Sequence, residues 1–142
     1  MFRKSSLLYW SLALTIVLWA FHLAANTFYF YWTYWWYDWM MHFLAGLAGG
    51  LTTYWVLLHS GLWRRKSDRI LLPVLVVFVC LMIVGITWEV FEYTNGITDF
   101  HEEVYTLDVI HDLMMDALGA ITAVIIGMKR TFLKQNSSNT SL

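Results

Sequence analysis

Apolar residues dominate the chain in four stretches, and polar residues concentrate in the segments between them. The stretches cover about residues 7–27, 39–59, 70–93 and 107–127. Each approaches the roughly 20 residues that an α-helix needs to cross a bilayer. We therefore predict an all-α fold, an integral membrane four-helix bundle that forms one domain over residues 1–134. Residues 135–142 are polar, and we predict a disordered cytoplasmic tail there.

The fourth apolar stretch carries acidic residues along one side. At about 100° per residue, Asp112 and Asp116 lie one helical turn apart and about 40° around the axis, and Asp108 continues this stripe. A carboxylate in hydrocarbon costs roughly 2.5–3.5 kcal/mol on insertion scales. We therefore expect the stripe to face the interior of the bundle.

Small residues predict close helix packing in two of the stretches. They are Gly46, Gly49 and Gly50 in the second stretch and Gly119, Ala123 and Gly127 in the fourth. Small side chains let helix backbones approach each other within a membrane. The pattern fits packing within one chain, and it also fits a homo-oligomer in which the stripes pair helices of different chains.

Basic residues indicate the orientation in the membrane. All nine lie before the first stretch, between the second and third, or after the fourth. Because lysine and arginine are enriched in cytoplasmic loops, we predict that both termini are cytoplasmic. All the acidic residues except Asp68 then lie on or near the outer face. The net charge of −1 gives no reason to expect a nucleic-acid partner.

Residues 28–39 form an aromatic segment in which only Thr33 and Asp38 are not aromatic. Tryptophan and tyrosine are typical of membrane interfaces, where their rings contact lipid and their polar edges contact water. We therefore expect this segment to lie at the interface. Stacking on sugar rings or on a lipid headgroup is the alternative interpretation.

Titratable residues gather near the outer ends of the predicted spans. They are Asp38 and His42 in the second span, Glu89 and Glu92 in the third, Asp108, Asp112 and Asp116 in the fourth, and His22 as an additional candidate from the first. Their similar depth predicts a shared pocket. Because no lysine or arginine lies on that side, the carboxylates need either protons or a bound cation. A metal cluster, a protonated hydrogen-bonded network and independent structural roles are all consistent with the pattern.

A divalent metal ion is the cofactor that this set of side chains indicates. Imidazole with carboxylates suits Zn²⁺, Mn²⁺ or Fe²⁺, and carboxylates with water suit Mg²⁺ or Ca²⁺. The single Cys80 excludes a cysteine-rich site. The predicted ligands are His42, Glu89, Glu92, Asp112 and Asp116. Glu92 or Asp108 is the candidate general base, and Asp38 and His22 are further members of the site.

Three motifs resemble those of the VanZ-like superfamily of small integral membrane proteins, and the YjdF-like branch most closely. The motifs are Asp38-Trp-Met-Met-His42-Phe43, Glu89-Val-Phe-Glu92, and the Asp-rich segment from Asp108 to Gly119. Trp39 stands where a lysine often follows the aspartate, and Asp116 stands where VanZ proper tends to have asparagine. The resemblance implies a multi-span envelope protein, linked in some members to glycopeptide resistance, in a family without an agreed activity.

These features together predict a multi-pass protein of the bacterial cytoplasmic (inner) membrane with an acidic, histidine-containing site near the outer leaflet. Membrane lipids are expected partners. A bound divalent ion would polarise a phosphate or carbonyl in a lipid or cell-wall precursor headgroup, or activate water. Two alternatives are a non-enzymatic proton- or cation-coupled carrier and a structural protein that shields cell-wall lipid precursors. The residues alone do not decide whether the chain is an enzyme.

Overall fold

The fold is all-helical over the residues that the computed structural model describes, which are 6–59, 71–97 and 102–139. The helices are α1 (Ser6–Phe28), α2 (Phe30–Thr33), α3 (Tyr37–His59), α4 (Leu71–Asn95) and α5 (Glu102–Asn139). Four of them contain segments long and apolar enough to cross a membrane: Ser6–Phe28, Tyr37–Leu58, Leu71–Asn95 and Tyr105–Arg130. The predicted helical class and the four predicted apolar spans are therefore confirmed.

Helices α3 and α5 pack most extensively, and glycines bring their backbones together. A Cβ added to Gly46 would collide with the backbone carbonyl oxygen of Asp116. One added to Gly119 would collide with the backbone carbonyl oxygen of Phe43. At both positions a backbone group of one helix occupies the space that a side chain on the other would need. The predicted packing role of these glycines is confirmed, and here it operates within one chain.

The same contact continues toward the far end of the two helices. A Cβ on Gly50 would lie 2.7 Å from the Cβ of Ala123, and one on Gly127 would lie 2.5 Å from the ring of Tyr54. Because residue numbers rise together along both helices, α3 and α5 run in the same direction. A buried apolar cluster lies beside this contact and consists of Leu7, Leu51, Tyr54, Val77, Leu81, Ala120, Ala123 and Val124.

Helix α4 packs against both members of this pair and runs in the opposite direction. A Cβ on Gly49 of α3 would lie 2.8 Å from the side chain of Leu81. One turn further along α4, a Cβ on Gly85 would lie 2.6 Å from Oδ2 of Asp116. The carboxylate of Asp116 therefore fits between α3 and α4 because Gly85 has no side chain.

Helix α1 packs on α3 and is joined to it by polar contacts. The Thr52 hydroxyl donates a hydrogen bond to Ser11 Oγ at 3.0 Å. The Tyr37 hydroxyl donates to the backbone carbonyl oxygen of Phe21 at 3.0 Å. These two bonds fix α1 against α3 at separate depths.

We expect Thr52→Val to lower the free energy of unfolding by about 0.6 kcal/mol, within the range measured for hydrogen bonds between membrane helices. The substitution removes the bond to Ser11 and almost preserves shape. Thr122→Val is the matched control, because the Thr122 hydroxyl bonds to Leu118 O within its own helix. The free energy of unfolding of both variants is measured in mixed micelles. Equal losses in the two would contradict a contribution from the bond between α1 and α3.

Helix α5 differs from the sequence prediction at both ends. It begins at Glu102, and its backbone stays helical to Asn139. The residues 135–139 were expected to be disordered, whereas 140–142 lie outside the described residues. No proline or glycine occurs between 128 and 139, so no residue in this segment breaks the helix.

Candidate functional site

His42 lies between two carboxylates at one end of the α3–α5 contact. Its side chain is on α3 and the residue is only 7% exposed. Nδ1 lies 3.4 Å from Oδ2 of Asp116 on α5. Nε2 lies 3.9 Å from Oδ1 of Asp38, one turn earlier on α3. Asp38 and His42 are four residues apart and therefore share a face of α3. The packing of α5 adds Asp116 on the other side of the ring.

Asp112 completes a group of three side chains with the spacing of metal ligands. One ligand atom from each of Asp38, His42 and Asp112 lies within 4.8 Å of the other two. Asp112 is 1% exposed, and its Oδ1 has no hydrogen-bond partner among the described residues. Ligand atoms around a metal ion at roughly 2.0–2.2 Å are roughly 3–4 Å apart, so small side-chain rotations would bring all three onto one ion.

The two glutamates of α4 have different environments. Glu89 is 4% exposed, and its Oε1 lacks a hydrogen-bond partner within the described part of the chain. It interacts electrostatically with His42. Glu92 is only partly buried. Neither glutamate belongs to the group of three. Glu89 is a buried neighbour of that group, and the partly exposed Glu92 lies at its edge.

Aromatic side chains flank the group on the side of Asp108. Asp108 is partly buried and also lies outside the group of three. The ring of Trp39 lies 4.7 Å from that of His111, centroid to centroid, and 5.0 Å from that of Trp35. Sequence reasoning gave His111 no role. Its position directly before Asp112 was the available signal, since consecutive residues on a helix lie about 100° apart and can border one pocket.

His22 belongs to a different polar contact. Its Nδ1 lies 2.9 Å from the hydroxyl oxygen of Tyr31, and its Nε2 lies 3.1 Å from Nδ2 of Asn26. Both ring nitrogens therefore have partners at the corner between α1 and α2. Burial raises the pKa of the Tyr31 phenol, and the negative charge of Asp38 raises it further. Tyr31 is thus a neutral hydrogen-bonding group between this corner and the acidic site.

No lysine or arginine neutralises the acids within the described residues. The ion pairs of Asp38 and Asp116 there are with His42. The guanidinium of Arg130 lies 5.3 Å from the ring centroid of Trp10. Arg130 is roughly 27 Å from Asp112 along α5, at 1.5 Å per residue. The positive charge available to the buried carboxylates is therefore that of His42 or of a bound cation.

A cavity of about 260 Å³ adjoins the site between α3 and α4. It is lined by Ala45, Gly49, Thr52, Thr53, Cys80, Leu81, Val84, Gly85 and Asp116. Asp116 therefore borders both this cavity and His42. The cavity continues from the acidic site toward the middle of the spans.

Comparison with known proteins gives a family for this architecture. No curated protein and no solved structure matches the chain. A family model described as a predicted membrane protein (DUF2238) matches residues 1–131. The matched range covers the four apolar helices and every residue of the acidic site. The chain therefore belongs to the DUF2238 family of predicted membrane proteins.

Proposed function

We propose that this membrane protein binds a divalent cation between α3 and α5 and uses it to hold the phosphate-bearing headgroup of a lipid or cell-envelope precursor. The observation that carries the proposal is the group Asp38, His42 and Asp112, whose ligand atoms lie within 4.8 Å of one another. The unpartnered Oδ1 of Asp112 adds support, because a buried carboxylate oxygen without a donor is costly. A cation would satisfy it.

The contacts of His42 assign different roles to the acids. Asp116 lies on the Nδ1 side of the ring, which leaves Nε2, the nitrogen nearer Asp38, for the cation. A carboxylate that holds the second nitrogen of a metal-binding histidine is a frequent arrangement, and it orients the ring and raises its basicity. Imidazole with two carboxylates favours Zn²⁺, Mn²⁺ or Fe²⁺. Three protein ligands leave coordination positions for a headgroup oxygen or water.

The charge distribution supports a site at the outer leaflet of the bacterial inner membrane. Lysines and arginines flank the opposite ends of the spans, which favours cytoplasmic termini. Trp32 and Trp35, in and beside α2, are exposed at the end of the bundle that carries the site. Such exposed tryptophans suit the headgroup region. The VanZ-like motifs agree with an envelope function, since their residues coincide with the site.

A catalytic form of this function would use the cation to polarise a phosphate oxygen or to activate water. Glu92 and Asp108 are the candidate bases, because both are partly buried carboxylates near His42 that lie outside the group of three. The second candidate function is a cation- or proton-coupled carrier. The position of Asp116, between His42 and the cavity, favours it over a purely structural role.

Cation binding to purified protein in detergent tests the proposal. After removal of metal with a chelator, we expect about one Zn²⁺ or Mn²⁺ per chain by calorimetry and elemental analysis. His42→Gln should weaken binding by at least the roughly 10–100-fold that loss of a supporting residue costs. His22→Gln is the matched control and should bind like the wild type, because His22 contacts Tyr31 and Asn26 instead. Absence of saturable binding, or equal losses in both variants, would overturn the proposal.

A further inference from the structure

The cavity between α3 and α4 differs from the acidic site in its chemistry. Gly49 and Gly85 create its space, and Leu81 and Val84 supply apolar walls. It is partly open, and the lining residues Cys80 and Val84 are exposed, Val84 by 62%. On a membrane span, such exposure is exposure to hydrocarbon. The cavity therefore opens sideways into the acyl region of the bilayer.

The cavity also lies in line with the cation site along three helices. On α5, Asp116 follows Asp112 by one turn and forms the border of the cavity. On α3, Gly49 lies seven residues beyond His42, or roughly 10 Å along the helix axis. On α4, Gly85 lies one turn from Glu89 in the same direction. A linear molecule whose polar end sits at Asp112 would pass Asp116 and reach the cavity.

We propose that this cavity holds a hydrocarbon chain of the phospholipid whose phosphate binds at the cation site. The inference rests on the proposed function and adds the class of ligand, a phosphate-headed lipid with a long chain. The size agrees, since an engineered apolar cavity of about 150 Å³ takes up benzene. A cavity of about 260 Å³ thus accommodates a segment of one chain. Chain and headgroup are then recognised together, so a soluble phosphate ester binds more weakly than the lipid.

Photocrosslinking in nanodiscs tests this placement. The probe is phosphatidylglycerol with a diazirine in the middle of one acyl chain, and peptide mapping locates the adducts. We expect enrichment at 80–85 of α4 and 45–53 of α3 over other exposed positions of the spans. Cys80→Phe should reduce that enrichment by about tenfold, equivalent to about 1.4 kcal/mol. Thr53→Leu fills the cavity from α3 and should act in the same direction.

Val79→Phe is the matched control, because Val79 neighbours Cys80, is exposed and does not line the cavity. It should keep the enrichment. Equal crosslinking in Cys80→Phe, Thr53→Leu and Val79→Phe, or adducts spread evenly over the exposed faces, would overturn the inference. Cation binding is measured on the same samples. If cation binds and the enrichment is missing, only the chain site fails; if no cation binds, the proposed function fails, and the crosslinking still decides the chain site.

Discussion

Gly119→Ala is expected to lower the free energy of unfolding by about 3 kcal/mol, at the upper end of the usual cost of overpacking. The added Cβ would collide with the Phe43 carbonyl oxygen and would lie 2.7 Å from the backbone nitrogen of Leu47. Because both are backbone atoms of α3, relief requires the helices to separate. Separation along this contact would also move Asp116 away from His42. Unfolding in mixed micelles, followed by circular dichroism, measures the loss.

Gly49→Ala provides the matched control within the same bundle. Its added Cβ would meet Cδ1 of Leu81 at 2.8 Å, the far end of a flexible side chain. Rotation of Leu81 relieves that contact, and alanine also improves helix propensity by up to about 1 kcal/mol. We therefore expect a net change under about 1 kcal/mol. If Gly119→Ala were no more destabilising than Gly49→Ala, the close backbone contact between α3 and α5 would be wrong.

Close helix packing at the small residues could be predicted because the membrane restricts which backbone structures are possible. Backbone groups in hydrocarbon must be satisfied within each segment, so apolar stretches of this length become helices. Gly46 and Gly119 were then candidates for close contact on spacing alone. Their partners could not be predicted, because the same stripes also fit contacts between chains. The structure joins Gly46 to α5 and Gly49 to α4, two different neighbours of one helix.

The sequence predicted that titratable side chains share a pocket, but it could not predict which of them lie together. Glu89 and Glu92 are separated by about 60° on a helix, so either could face inward. Only the rotation of α4 against its neighbours shows that Glu89 is buried and Glu92 is at the edge. Asp38 was predicted only as a further member of the site, yet one of its carboxylate oxygens lies within 4.8 Å of a ligand atom of His42 and of Asp112. Relative rotations of packed helices are tertiary information that periodicity does not contain.

His22 illustrates the same limit within a single helix. His22 and Asn26 lie one turn apart on α1, and the side chain of Asn26 contacts the His22 ring. The additional idea that His22 reaches the acids depended on the path of the chain after α1. Tyr29 adopts a left-handed conformation with φ of 60°, and the chain turns there into the short α2. That turn places Tyr31 against His22.

If the proposed site binds a cation, the free energy of unfolding should depend on divalent cations, because the described residues place no lysine or arginine beside these buried carboxylates. Asp112 and Asp116 are nearly inaccessible, and Glu89 interacts electrostatically with His42 from α4. Two unit charges 4 Å apart interact by about 4 kcal/mol at an effective dielectric constant of 20. Mutual repulsion of this order opposes folding whenever more than one acid is ionised. A divalent cation bound at the proposed site would convert that repulsion into attraction and would link the packing of α3 and α5 to metal binding.

Asp112→Asn should therefore change stability in opposite directions with and without metal. In chelator, at a pH where Asp112 is ionised, removal of this buried negative charge should raise the free energy of unfolding by about 1 kcal/mol, a fraction of the full Coulomb energy. With metal at 100 times its dissociation constant, the wild type should gain about 2.7 kcal/mol. The variant loses a ligand and should gain less than about 1 kcal/mol, because its dissociation constant rises to about the metal concentration used or above it. The order of stability of the two proteins then reverses on addition of metal.

Asp108→Asn separates ligand loss from the general loss of negative charge. It makes the same substitution one turn earlier on the same helix, at a partly buried carboxylate outside the group of three. We expect it to keep most of the metal-dependent gain, since Asp38, His42 and Asp112 are intact. Thermal unfolding at a series of Mn²⁺ or Zn²⁺ concentrations measures all three proteins. Two results would contradict the metal site: a wild type whose unfolding does not respond to metal, or an Asp112→Asn variant that metal stabilises as much as Asp108→Asn. Either would show that protons, and not a metal ion, neutralise these acids.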